Sequence, residues 1–238
     1  VDPRRGPGTA ARVAALLLTA LAAQHLAAYE AHYIAPTAVR LEELLEPPPA
    51  PGTVRASQDL DEVLRAQVAR TPATVQSAQD DAVVSVFRFS DILGPAFTGE
   101  RLPKTMALFK AVGQDATGIG LRAKEYWHRP RPYRADERVK PVLNVSTDGS
   151  YPSGHAMYGC LAAVLLGVIV PERRTELLER GSAYAQNRVV GGVHYPTDVE
   201  AGCIAGKVVA AVLLQSPVFL QDFAPARDET RQVLGLPR

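Results

Sequence analysis

Eight residues of this chain could handle a phosphoryl group without a metal, and they fall in three short blocks. The blocks are Lys124-x6-Arg131-Pro132, Pro152-Ser153-Gly154-His155 and Arg188-x5-His194-x3-Asp198. A guanidinium presents a fixed fork of donors to phosphate oxygens, and an ammonium presents a compact point charge. Lys124, Arg131 and Arg188 supply three such cations. A carboxylate bonded to one histidine nitrogen fixes the tautomer and makes the other nitrogen a better nucleophile. Asp198 follows His194 by four residues and suits that role. Each block also has a plainer reading. PSGH is a common turn and cap, a histidine near an aspartate is often a local hydrogen bond, and the basic run from Lys124 to Arg134 could be a solvated face. Arg129, Arg134 and Arg138 are assigned to that solvated face.

The elements that must position these residues read as helices. Ser153 stands directly before an apolar stretch that continues to Val170, so it is the natural N-cap. A helix start of this kind offers free backbone amides and the positive end of a dipole to an anion. Lys124 precedes Arg131 by seven residues, two turns of a helix that Pro130 and Pro132 would end. Asp198 begins a helix after Pro196, and Gly191-Gly192 suits a tight turn before His194. Upstream, Ser57 is the expected N-cap of a helix carrying Leu60, Val63, Leu64 and Val68. Thr71-Pro72 opens the next, which continues toward Phe87 until Gly94-Pro95 breaks it. Two further helices are expected over Pro103–Val112 and Asp115–Trp127. Cys160–Val170 and Ile204–Leu214 are the most apolar segments, and at eleven residues each they suit core helices rather than membrane spans. Strand signals are weak. The expected fold is all-α, a single compact helical domain with core helices carrying the active site.

Composition narrows the function classes. A net charge of +1 with 21% charged residues gives no polyanion-binding surface, so nucleic acid is not an expected partner. Arg4, Arg5 and Arg12 precede an apolar run from Val13 to Ala23, the layout of a signal peptide over 1–28 and of a periplasmic or secreted protein. Residues 29–56 are expected to form an extended Pro-rich arm outside the core, since Glu46 to Gly52 holds four prolines. Residues 57–238 form the helical domain. Cys160 and Cys203 are read as buried small hydrophobes, with a single disulfide as the lesser alternative. No set of His, Cys or carboxylate residues has metal-ligand spacing, so no metal site is expected. Tyr126, Trp127, His128, Tyr133 and Tyr151 are expected to pack around the basic block, with one of them at the pocket rim as the lesser reading.

Taken together, the three blocks resemble the signature of the phosphatidic acid phosphatase type 2 and vanadium haloperoxidase superfamily, which also contains membrane lipid phosphatases. Gly149 to His155, GSYPSGH, resembles most closely the bacterial class A nonspecific acid phosphatases. The likeness extends to the Pro-rich stretch, the helix near Thr71, Tyr126 to Tyr133 and Arg188 to Gly202. Two positions depart from it: Asn187 stands where the family usually has Ser, and Ala156 where class A members often have Thr. The resemblance implies hydrolysis of small-molecule phosphate esters. His194 would attack phosphorus and form a phosphohistidine, Asp198 would orient it, and His155 would protonate the leaving group. Lys124, Arg131, Ser153, Gly154 and Arg188 would hold the phosphate oxygens. It implies no cofactor, with vanadate expected to bind as a mimic of the phosphoryl transition state, and an acidic to near-neutral optimum. A vanadate-dependent haloperoxidase is the alternative, disfavoured by the short chain. The short apolar runs disfavour a lipid phosphatase and stable membrane insertion, and a simple anion-binding module would not need the His155, His194 and Asp198 set. A homo-oligomer is left open.

Overall fold

A helix that is apolar on every side has no face to give to solvent and must sit at the centre of its domain. The stretch after Ser153 is such a helix, and the fold is arranged around it. The computed structural model describes residues 31–237, so the leader expected over 1–28 lies outside the described residues. In chain order the α-helices are α1 (Leu41–Leu44), α2 (Val54–Val68), α3 (Pro72–Asp80), α4 (Ser90–Leu93), α5 (Pro103–Trp127), α6 (Pro132–Ala135), α7 (Gly154–Ile169), α8 (Arg174–Val190), α9 (Pro196–Leu213) and α10 (Pro217–Val233). Short 3₁₀ turns lie at Val86–Phe89 and Pro171–Arg173, and no strand occurs among the described residues. No single described helix is long and apolar enough to cross a membrane, although α9 and α10 pass that test together as a pair bent by 96°.

Helix α7 is flanked by α8 and α9, and small residues set how closely they approach. A Cβ placed on Gly202 would lie 2.4 Å from the Ser153 carbonyl oxygen, and one on Gly206 would lie 2.2 Å from that of Met157. On the other side, a Cβ on Gly181 would meet the Ala163 side chain at 2.6 Å. The α7 and α9 backbones therefore touch, which lays the first turn of α7 against the second and third turns of α9. The same contact brings the Cα atoms of Cys160 and Cys203 to 5.1 Å, and the two form a disulfide. That corrects the expectation of two separate buried thiols: the separation falls inside the range a disulfide spans, and only helix packing sets it.

Several boundaries differ from expectation. The N-cap of α2 is Thr53, whose Oγ1 accepts from the Ala56 amide at 3.3 Å, so Ser57 lies inside the helix. Thr71 does cap α3 reciprocally with Thr74, but α3 ends at Asp80. The chain turns there because the buried Asp81 carboxylate accepts from Arg180 at 2.9 and 2.6 Å. Helix α5 runs unbroken where two helices are expected, and Gly113 within it leaves room for the Tyr158 ring.

The segment expected to lie outside the core is partly inside it. Ile34, Val39, Leu41 and Leu45 are buried in the main hydrophobic cluster. The Asp115 carboxylate of α5 accepts from the backbone amides of His32, Tyr33 and Ile34 at 2.8, 2.8 and 3.0 Å. Glu46 to Gly52 forms no regular helix, as its prolines dictate, and runs beside Trp127 and Tyr195. Its Glu46 carbonyl accepts from the Tyr151 hydroxyl, which ties the Pro-rich stretch to the start of α7.

Replacing Gly206 by Ala forces α7 and α9 apart. The expected cost is about 3 kcal/mol, read as a fall in melting temperature of roughly 6–12 °C for a domain of this size. An unchanged melting temperature would show that the two backbones do not touch.

Candidate active site

The last turn of α5 points Lys124 inward, and His128, in the left-handed region at φ 49°, stops the helix. Arg131 then reaches the same place from extended backbone before α6. This corrects the expected arrangement of two turns on one helix. Arg188 arrives from the last turn of α8. These three cations line one cavity of about 380 Å³ together with Gly154, His155 and His194. Ser153 and Asp198 do not line it. They are buried behind its wall, where the Ser153 amide donates to the Asp198 carbonyl at 2.9 Å. Ser153 caps α7 by accepting from the Ala156 amide at 3.3 Å, a bond that does not use its hydroxyl hydrogen.

The partners of His194 define its state. Arg131 Nη1 donates to its Nε2 at 2.8 Å, so that nitrogen carries the lone pair and Nδ1 carries the proton. Nδ1 faces Asp198 Oδ2 at 3.3 Å. Burial, followed by the charges of Arg131, Lys124 and Arg188, holds His194 well below the usual histidine range, and the ring is neutral. His155 is set differently: its Nε2 lies 3.1 Å from the Ala82 carbonyl and donates to it, leaving Nδ1 as the nitrogen that can exchange a proton. Burial and the Arg188 charge push its pKa down to about 4, although the Ala82 bond opposes the shift.

Behind His194 lies a buried network that local sequence reasoning missed. Asp198 Oδ2 accepts from the Tyr195 amide at 2.9 Å and from the Ser150 hydroxyl, and Oδ1 accepts from Arg129 Nη1 at 2.6 Å. Arg129 Nη2 donates to Asp59 Oδ2 at 2.7 Å, and the Thr197 hydroxyl donates to the same oxygen. Arg129 also sits 4.1 Å from the centre of the Tyr195 ring. It is a buried partner of the site and not part of a solvated face. The signal that separates it from Arg134 and Arg138 is a carboxylate about seventy positions away on either side, which no local pattern reveals.

The cavity is strongly cationic. Burial and the neighbouring Arg131 push Lys124 down to about 8, while Asp148 and Asp198 oppose the shift. Burial likewise pushes Arg188 down to about 10. Arg188 is 5% exposed, and its Nε and Nη1 have no hydrogen-bond partner. Lys124 and Arg131 are instead paired with Asp148, at 3.1 and 2.7 Å. Among the described residues no three His, Cys, Asp or Glu side chains group as a metal-binding set.

Of the residues expected to pack around the basic block, Trp127, Tyr133 and Tyr151 do so, whereas Tyr126 and His128 are exposed. Trp127 packs edge-on against Tyr151, and the Tyr133 hydroxyl donates to the Ser146 carbonyl at 2.8 Å. Tyr158, on α7, is the aromatic residue of the cavity wall. The two departures from the family pattern have local partners. Asn187 donates to Asp81 at 2.8 Å and Ser77 at 3.1 Å, and Ala156 fits where a Cβ on Gly202 would lie 2.9 Å away.

With this geometry in hand, comparison with known proteins gives a consistent answer. Residues 105–221 match the PAP2 superfamily. The chain is 32% identical over 197 residues to a non-specific acid phosphatase of Salmonella typhimurium, covering 78% of each chain. It is 31% identical over 195 residues to the Providencia stuartii enzyme of the same name, covering 78% of this chain and 79% of that one. In three dimensions it resembles a bacterial vanadium-dependent iodoperoxidase, with a TM-score of 0.55 at 19% identity. That alignment covers 72% of this chain and 52% of the iodoperoxidase, so the present chain spans about half the length of that protein.

Two outcomes test the site. Arg129→Met leaves Asp59 and Asp198 buried without their cation and is expected to destabilise the fold by about 3–5 kcal/mol, measured by denaturant unfolding. Lys124 is charged below its pKa of about 8 and neutral above it. Binding of inorganic phosphate should therefore weaken as pH rises through that value, and Lys124→Arg should remove the break. A break that persists in Lys124→Arg would assign it to another group.

Proposed function

The chain belongs to the non-specific acid phosphatases of the PAP2 superfamily, and from that premise we propose that it hydrolyses a broad range of phosphate monoesters through a phosphohistidine on His194. The observation that carries the reading is Arg188. A buried guanidinium with two unpartnered nitrogens, in a cavity shared with two other cations, requires an anion. A phosphoryl group supplies enough oxygens for all three.

In the first step the Nε2 lone pair of His194 attacks phosphorus. An N–P bond forms, the P–O ester bond breaks, and the bonding pair leaves with the alkoxide oxygen, which takes a proton from His155. Asp198 holds the Nδ1 proton and compensates the charge that develops on the ring. In the second step water gives a proton to His155 and attacks phosphorus. The N–P bond breaks, and His194 is regenerated with release of phosphate. An alcohol in place of that water gives phosphotransfer. Arg131, which now donates to Nε2, turns its donors to the phosphate oxygens as attack begins. Lys124, Arg188 and the Gly154 amide complete the cradle, and Ser153 supports it from behind the cavity wall by capping the helix that presents that amide.

The low pKa of His155 bears on pH dependence. A phosphate group offsets the cations that depress it, and an ester monoanion brings the required proton with it. Activity is therefore favoured at acidic to near-neutral pH. Vanadate binds the same cradle as a mimic of the five-coordinate transition state. The Cys160–Cys203 disulfide supports a periplasmic or secreted location, where such bridges form and persist.

A chromogenic phosphate ester assayed with excess chelator should be hydrolysed at an undiminished rate. His194→Ala should lose activity by on the order of a thousandfold or more, and rapid quenching of the wild type should trap an acid-labile, alkali-stable phosphoprotein. Loss of activity on chelation, or a wild-type rate in His194→Ala, would overturn the mechanism.

A further inference from the structure

Asp148 occupies a position that no part of the proposed chemistry requires. Its carboxylate spans two of the three cations of the cavity, with one oxygen 2.7 Å from Arg131 Nη2 and the other 3.1 Å from Lys124 Nζ. It lies on the loop between α6 and α7 and itself lines the cavity. Ser146 and Tyr133 hold that loop in place. The Ser146 hydroxyl donates to the Asp148 carboxylate, and the Ser146 amide donates to the Tyr133 hydroxyl at 2.9 Å. Unlike Asp198, Asp148 is not sealed in: its side chain is 32% exposed, so it can leave the cations without unfolding its surroundings.

We propose that Asp148 is a resident anion that competes with phosphate for Lys124 and Arg131 and so determines how tightly the site holds substrate and product. The inference rests on the phosphatase reading of the cavity. A carboxylate offers two oxygens to two cations and leaves Arg188 unsatisfied, as is observed. A phosphate group can engage all three, so it displaces the carboxylate, which swings toward the open side of the cavity. When hydrolysis is complete, Asp148 returns to its two cations and favours departure of the product. The exchange also keeps the cavity balanced in both states. Without Asp148 three buried positive charges would face one another with no carboxylate between them, which is costly at low dielectric. The pairing is strong enough to hold Asp148 well below the usual carboxylate range against the opposing effect of burial, through the Lys124 charge first, then the Ser146 bond and the Arg131 charge.

The test is a gain of affinity, which damage to the fold does not produce. Competitive inhibition by inorganic phosphate is measured at about pH 6, where Lys124 carries its proton, for the wild type, Asp148→Asn, Asp148→Ala and Ser146→Ala. Calorimetric binding of phosphate provides a second readout. Asp148→Ala should lower the inhibition constant by about tenfold, the scale of one lost charge-assisted contact. Asp148→Asn, which keeps an acceptor but loses the charge, should fall between it and the wild type. Ser146→Ala, which only loosens the carboxylate, should shift the constant in the same direction by less. KM for a chromogenic ester should decrease in the same order. Unchanged or weaker phosphate binding in both Asp148 variants, with melting temperatures like that of the wild type, would overturn the proposal. If the wild type hydrolyses the ester and binds phosphate but the variants gain no affinity, the inference about Asp148 fails alone. If the wild type does neither, the phosphatase reading fails and this inference falls with it.

Discussion

A carboxylate with no exposed surface must be surrounded by donors, and the fold is organised around meeting that requirement at Asp198. Its donors come from three stretches of chain: Arg129 after α5, Ser150 before α7, and His194 with the Tyr195 amide before α9. Arg129 in turn needs a second carboxylate, which Asp59 brings from α2. The orientation of His194 is therefore set by contacts that span most of the helical domain. This explains why a surface-sized cluster of functional groups needs a domain of this extent behind it.

A second constraint is the gathering of like charges. Lys124, Arg131 and Arg188 are each buried, and each makes the neighbouring cations and histidines harder to protonate. The consequence is useful at His194, whose lone pair stays available even in acidic solution. It is less simple at His155, which lacks a carboxylate partner among its contacts and, under the proposed mechanism, depends on the charge of the bound ester to become an acid. The two histidines differ because one is backed by Asp198 and the other by a backbone carbonyl. Identical side chains thus acquire different roles from the groups on their far nitrogens.

Features governed by neighbours along the chain were legible without a structure. Ser153 and Thr71 cap helices because a short hydroxyl before a helical run meets free amides within three residues. The apolar stretch after Ser153 is a core helix because its pattern leaves it no polar face. Features governed by distant partners were not legible. Thr53 rather than Ser57 caps α2, and α5 passes through Gly113 without a break because Tyr158 fits against it. Residues 32–34 are held against α5 because Asp115, about eighty positions later, accepts their backbone amides. Arg129 is indistinguishable by type from its exposed neighbours until Asp59 and Asp198 are placed beside it.

By itself the sequence determined which chemistry is available: two histidines, an aspartate and three cations, at spacings that helix starts and turns can present, within an all-helical frame. It also determined family membership, because motif combinations survive where single residues do not discriminate. Only the tertiary structure decided that two buried nitrogens of Arg188 have no hydrogen-bond partner, that Asp148 covers the other two cations, and that Cys160 and Cys203 are joined. The reason is physical. Capping and periodicity act over a few residues, whereas charge compensation and close packing depend on distances through space, and these follow from how closely glycines let α7 and α9 approach.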